Sequence, residues 1–365
     1  MKNDNQRVYQ AANLFTGDRW LKNHSLAVGN GKVTELFPSK TAGAADAYLI
    51  APVFMDIQLY GAYGKLLSVY PQADTLHKMY DYCAKGGAPY FQPTVATNDT
   101  AVFHRCIDAV RVYRKEGGRG CIGLHVEGPW ISDAKKGAHL SQFIHVPSVS
   151  EARELLEYGK EVITMITLAP EVCSKEVIAL VQSYGVAVSA GHSNASYEAA
   201  TAAFDEGITA ATHLFNAMSP LQHRAPGMVG AIFDHATVKS SIVPDGYHVD
   251  FSMIRVAKKI MGERLFAITD AVTDTTEGPY PHRLAGDKYE ANGILSGSAL
   301  TMASSLRNLV NRVGIPVDEA LRMVSLYPAQ VMHLSDRLGK LEPGYEAGFV
   351  VLDQSLEVVE LITGW

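Results

Sequence analysis

Cysteine is scarce in this chain: four residues in 365, at Cys83, Cys106, Cys121 and Cys173. None forms a CxxC pair, and a disulfide framework needs a shorter and denser chain, so these read as reduced core thiols. No apolar run approaches the roughly 18 residues of a membrane span. The opening MKNDNQRVYQ lacks the apolar stretch of a secretory signal. Internal repeats and low-complexity segments are absent too. So is an excess of charge: 32 Lys and Arg against 38 Asp and Glu leave a formal net charge of −6. With no basic run, that balance argues against nucleic-acid binding. The expectation is a soluble, cytoplasmic protein with no nucleic-acid or membrane partner. What is present is an ordinary globular mixture, 47% hydrophobic and 19% charged, long enough for about two domains.

From residue 48 onward short apolar runs alternate with amphipathic stretches. YLIAPVFMDI (48–57), PYFQPTV (89–95), GCIGLHV (120–126), EVITMITLA (161–169), GVAVSA (185–190), ITAATH (208–213), KSSIVP (239–244) and RLFAITD (264–270) each have the length and β-branched content of a buried strand. Between them lie helical periods such as 174–185, with Ser174 as N-cap and Gly185 past its end, and 194–207, opened by Asn194 and closed by Gly207. Strands apolar on both faces, separated by helices, imply a parallel sheet covered on both sides. Eight of them predict an α/β fold, a TIM-like (β/α)8 barrel over 48–337. Residues 1–47 and 338–365 carry short alternating segments (SLAVGN, KVTELFP, AGFVVLD) cut by Gly and Pro. They predict one small β-sandwich domain built from both termini.

In such a barrel the chemistry sits where strands end. The third run closes on HVEGPW with Glu127, the fifth leads to Gly191 and His192, the sixth reaches His213 and the eighth Asp270. Each alone has a plain reading: a loop hydrogen-bonder, a solvated turn residue, a helix N-cap. Four together on one rim point instead to a metal site. Imidazole and carboxylate suit zinc or a similar divalent ion, and three protein ligands leave a position for water.

At these residues the chain resembles the amidohydrolase superfamily and, within it, the N-acetylglucosamine-6-phosphate deacetylase family. The matching segments are HVEGPWIS, KKGAH (135–139), TLAPE, SAGHSNASY, THLFNAM, RAPGMVGAIFD, PDGYHVD, ITDAV and LSGSALTM, in family order across most of the chain. The resemblance implies a metal-dependent hydrolase acting on N-acetyl-D-glucosamine 6-phosphate. Glu127, His192 and His213 match the metal ligands, Asp270 the catalytic acid–base, and His139 a histidine over the amide. Asn216, Ala217, Arg224 and His248 match residues that hold the sugar phosphate. It also implies a homodimer in which the neighbouring subunit completes part of the phosphate site.

The first strand departs from the superfamily pattern. Where an HxH pair usually ligates a second metal, this chain has Gln58 and Tyr60, and Pro52-Val53 replaces the usual Pro-Gly. One divalent ion per subunit is therefore expected, zinc foremost, with iron, manganese and cobalt also compatible. Two other readings stand beside this one. A related N-acetylated sugar phosphate, such as the galactosamine epimer, differs at one hydroxyl that sequence does not resolve. A barrel that has lost catalysis and serves as a scaffold would have no physical need of the four strand-end residues.

Overall fold

The computed structural model describes residues 6–39, 47–291 and 293–365. Eight parallel strands follow one another around a barrel: Met55–Leu59, Tyr90–Ala96, Leu124–Glu127, Ile163–Leu168, Ala187–Ala190, Ala210–Ala211, Lys239–Ile242 and Leu265–Ala267. The last meets the first through backbone bonds from Tyr60 N to the Ala271 carbonyl (2.8 Å) and from Asp270 N to the Gln58 carbonyl (2.9 Å). Beside this seam the buried Asp56 carboxylate accepts from the backbone N–H and the hydroxyl of Thr269. Side chains alternate along a strand. In the first strand that sets Asp56 and Gln58 on one face and Met55, Ile57 and Leu59 on the other, all of them buried.

The run 48–57, read above as one strand, is two. Ala47–Pro52 belongs to the sheet formed by the chain's two ends, and only Met55–Leu59 enters the barrel. Pro52 cannot donate to a ladder, and the chain changes partners there: Val53 N bonds Gly348 and Phe54 N bonds Gly87. The junction is invisible to hydrophobic pattern because both strands are almost wholly buried. The terminal sheet has six strands in the order Val358–Ile362, Phe349–Leu352, Ala47–Pro52, Arg7–Phe15, Trp20–Gly29, Lys32–Pro38. It curls until the edge at Val33 meets Gly344 and Tyr345, which lead into Phe349–Leu352. This encloses a separate small core that includes Leu14, Leu26, Ile50 and Phe349.

Helices fill the outer layer. Lys175–Ser183 is capped by Ser174, whose hydroxyl accepts from Val177 N (3.3 Å), and Gly185 beyond it is left-handed (φ +72°). The next helix, Tyr197–Asp205, starts later than expected. Its cap is Ser196, while the Asn194 backbone donates to Glu171. Among the described residues all four cysteines are free, and only Cys121 is incompletely buried. Among the same residues no helix is long and apolar enough to cross a membrane.

One element was not anticipated. Between the eighth strand and the helix Met302–Asn308 lies an antiparallel sheet, Arg283–Ala285, Lys288–Ala291 and Ile294–Ser298. Its last strand is bonded to the chain around Asp270, with Ser298 N donating to the Asp270 carbonyl and Val272 N to that of Ser298.

Candidate active site

The strand ends converge on a cleft at the C-terminal mouth of the barrel. Every barrel strand but the fourth supplies a lining residue at its end or on the loop that follows: Tyr60, Ala96, Glu127, His192, His213, His248 and Asp270. Three of these, His192 (φ +47°), His213 (φ +40°) and Asp270 (φ +54°), have left-handed backbones. Side chains of this size rarely adopt that conformation, and it persists only where the surroundings over-determine it, most often at functional sites. Here it turns each side chain inward immediately after its strand.

Glu127 is the hub. Its Oε1 lies 3.3 Å from His192 Nε2 and 3.2 Å from His213 Nε2, and those two nitrogens are 3.0 Å apart. Its Oε2 lies 3.3 Å from His139 Nε2 and accepts from the Tyr60 hydroxyl. Ligand atoms each about 2.0–2.1 Å from one tetrahedral metal stand about 3.3 Å from one another. The Glu127, His192 and His213 separations therefore suit one shared ion. His192 Nδ1 donates to the Lys135 carbonyl at 3.0 Å, which turns the bare Nε2 lone pair of the neutral ring toward Glu127 and His213. Glu127, His139 and His192 also cluster closely enough to hold an ion, but there the second contact runs to the other carboxylate oxygen.

The charges agree with this geometry. Burial opposes ionisation of Glu127, yet hydrogen bonding from His139 and the charge of His192 outweigh it and hold the carboxyl well below the usual range. Burial, reinforced by His139, pushes His192 down to about 4, so its lone pair is free at neutral pH. Burial alone would depress His213 as well, but hydrogen bonding to Glu127 raises it. Asp270 is lifted by burial, against the pull of His213 and His248. A carboxyl raised in this way suits proton transfer.

His248 lines the same cleft, with Nδ1 held by Asp245 (2.6 Å) and Nε2 3.8 Å from Asp270 Oδ2. Asn216 and Ala217 lie on its rim, the Asn216 amide donating to the carbonyls of His213 and Leu214. Arg224 is not brought to this cleft within the chain. It is exposed, in a separate depression with Asn194, Ser196, Gln222 and Pro226.

Several contributors were not found from sequence. Gln58 donates to Glu127 Oε1 (3.1 Å) and Asp270 Oδ1 (2.9 Å). The buried Thr97 hydroxyl lies 2.6 Å from His139 Nδ1 and 3.2 Å from the Glu127 carbonyl. It packs so closely on Gly128 (φ +78°) that a Cβ there would stand 2.1 Å from it. Tyr280, from the chain leading into the unanticipated sheet, donates to the Thr97 carbonyl and accepts from Leu140 N, next to His139. Leu66 and Ser68 come from residues 61–70, where Gly61–Ala62 and Lys65–Leu66 form a hairpin. Its two-residue turn, Tyr63-Gly64, has positive φ at both positions, and the Gly was a readable signal.

A barrel whose mouth holds a buried Glu–His–His cluster beside a further buried carboxylate defines the class of barrel hydrolases that work with a metal ion. The comparisons with known proteins agree. The model of the amidohydrolase family matches residues 75–363. An N-acetylglucosamine-6-phosphate deacetylase of Haemophilus influenzae is 36% identical over 317 residues, covering 84% of this chain and 83% of that protein. An N-acetylgalactosamine-6-phosphate deacetylase of Escherichia coli O157:H7 is 30% identical, covering 97% of each. The crystal structure of N-acetylglucosamine-6-phosphate deacetylase from Pasteurella multocida matches with a TM-score of 0.91 and 32% identity, covering 98% of each chain. The chain belongs to the amidohydrolase family.

Proposed function

We propose that this protein hydrolyses N-acetyl-D-glucosamine 6-phosphate to D-glucosamine 6-phosphate and acetate. The observation that carries the reading is Asp270: a buried carboxylate beside the Glu127, His192 and His213 cluster, in a family whose similar members are sugar-phosphate deacetylases. Those three residues would hold one divalent ion, zinc foremost, with iron, manganese and cobalt also suited to the donor set. Bound there, such an ion polarises the amide carbonyl and makes water a stronger acid. Asp270 takes a proton from the attacking water and returns it to the sugar nitrogen as the C–N bond breaks, so that the amine leaves neutral. His139 donates from Nε2 toward the acetyl oxygen, where a placed donor is worth roughly 10²–10³ in turnover.

His248, Asn216 and Ala217 orient the sugar. Arg224 binds the phosphate in a homodimer, where its exposed position becomes part of a neighbouring subunit's site. The site of action is the cytoplasm. The 6-phosphate of the galactosamine epimer is the second substrate to assay, since one full-length relative carries that name. The test is acetate release from N-acetylglucosamine 6-phosphate with and without chelator. Rapid release that chelation abolishes and zinc restores is expected. No release from either epimer with zinc supplied refutes the reading.

A further inference from the structure

Gln58 and Tyr60 leave the first barrel strand two residues apart, and their side chains converge on the two carboxylates of the site. The Tyr60 hydroxyl donates to Glu127 Oε2 at 2.5 Å, with Asp270 Oδ1 at 3.3 Å. The Gln58 amide nitrogen reaches Glu127 Oε1, Asp270 Oδ1 and the Tyr60 oxygen, the last at 2.8 Å. Ionised carboxylates only accept, so the amide must turn its N–H groups toward them. Two N–H groups and one O–H thus fill the space between Glu127 and Asp270, and their positive ends repel any second cation. One divalent ion with two carboxylates is already neutral in charge.

We propose that Tyr60, supported by Gln58, is a positioning residue that sets the metal affinity of this site. It fixes Glu127 so that Oε1 faces His192 and His213 while Oε2 is satisfied from behind. This rests on the metal reading above. His139 also reaches Oε2, but it stands on the loop that follows the third strand and not on the barrel seam. Tyr60 stands on that seam, its own N–H bonded to the Ala271 carbonyl, so the clamp is anchored by the backbone where the barrel closes. Loss of such an outer hydrogen bond to a metal ligand typically weakens metal binding 10- to 100-fold.

The test is Tyr60→Phe, with zinc affinity measured on purified protein by competition with a chromophoric chelator. A zinc dissociation constant raised about 10- to 100-fold is expected, with one equivalent still bound at saturation. KM at saturating zinc should stay within about twofold of the wild type; a residue that merely shaped the cleft would move KM instead. Gln58→Met reads the same clamp from its other half, should the first variant not fold, and should weaken zinc by a similar factor. Glu127→Ala separates the two ideas. If it loses zinc while Tyr60→Phe stays within threefold of wild type, the clamp is wrong and the metal reading stands. If Glu127→Ala binds zinc as tightly as wild type, the metal reading falls and the clamp with it.

Discussion

Replacing Thr97 by Val tests the orientation of His139 with little change of shape. His139 Nε2 lies 3.3 Å from Glu127 Oε2, and an ionised carboxylate offers no proton, so Nε2 carries one. In the neutral ring Nδ1 is then an acceptor, and the Thr97 hydroxyl turns its one proton to it at 2.6 Å in preference to the Glu127 carbonyl at 3.2 Å. Thr97 is fully buried, so water cannot take its place. Val keeps the branched shape and removes the donor. An unsatisfied buried group costs about 1–3 kcal/mol, and the ring escapes that cost by exchanging tautomers, which presents a lone pair where the acetyl oxygen needs a proton. At 1.36 kcal/mol per factor of ten, kcat/KM should fall roughly 5- to 150-fold. Initial rates of acetate release at saturating zinc measure it, with metal content checked by elemental analysis and expected to be normal. Thr97→Ser, which retains the hydroxyl, should recover most of the rate. A Val variant within twofold of wild type, or a Ser variant as poor as Val, refutes the argument.

Asp270→Asn should lower kcat by several powers of ten at near-normal metal content, and an Asn variant within tenfold of wild type would remove Asp270 from proton transfer. Elemental analysis of fully active protein should find close to one divalent ion per chain, and two equivalents would overturn the reading of Gln58 and Tyr60. Arg224→Ala should cost about 10- to 150-fold in kcat/KM with the 6-phosphate, the worth of one charge-assisted hydrogen bond of about 1.5–3 kcal/mol, and leave unphosphorylated N-acetylglucosamine unaffected. Equal damage with both sugars would make Arg224 structural.

Much of the barrel was legible because each strand is a short apolar run and each helix between them has its own period. Glu127, His192, His213 and Asp270 stood out for the same reason, as polar residues directly after apolar runs. Other features left no local trace. Thr97 matters only through His139 and Glu127, which reach it across the fold, and nothing in its neighbourhood marks it. The break between Ala47–Pro52 and Met55–Leu59 is hidden because, Tyr48 apart, both strands are buried on both faces. The sheet from Arg283 to Ser298 is short and partly exposed, so its alternation is weak, although Gly286-Asp287 between paired strands was a usable hairpin signal. Arg224 was legible only through a motif, and a motif does not say which cleft a residue will face.

The curled sheet built from the two ends of the chain also bears on how the molecule is made. Ile50 pairs with Val351, so the earlier strand waits for one that leaves the ribosome 351 − 50 = 301 residues later. Until then Ala47–Pro52, paired on its other side with Arg7–Phe15, exposes an apolar, unpaired edge, the kind of surface on which nascent chains aggregate. The barrel's neighbouring strands are also neighbours in sequence, save where the eighth meets the first, so most of it can assemble in the order it is translated. Closure of the terminal sheet is then the slow, long-range step, and chaperone dependence should concentrate there and not in the catalytic barrel.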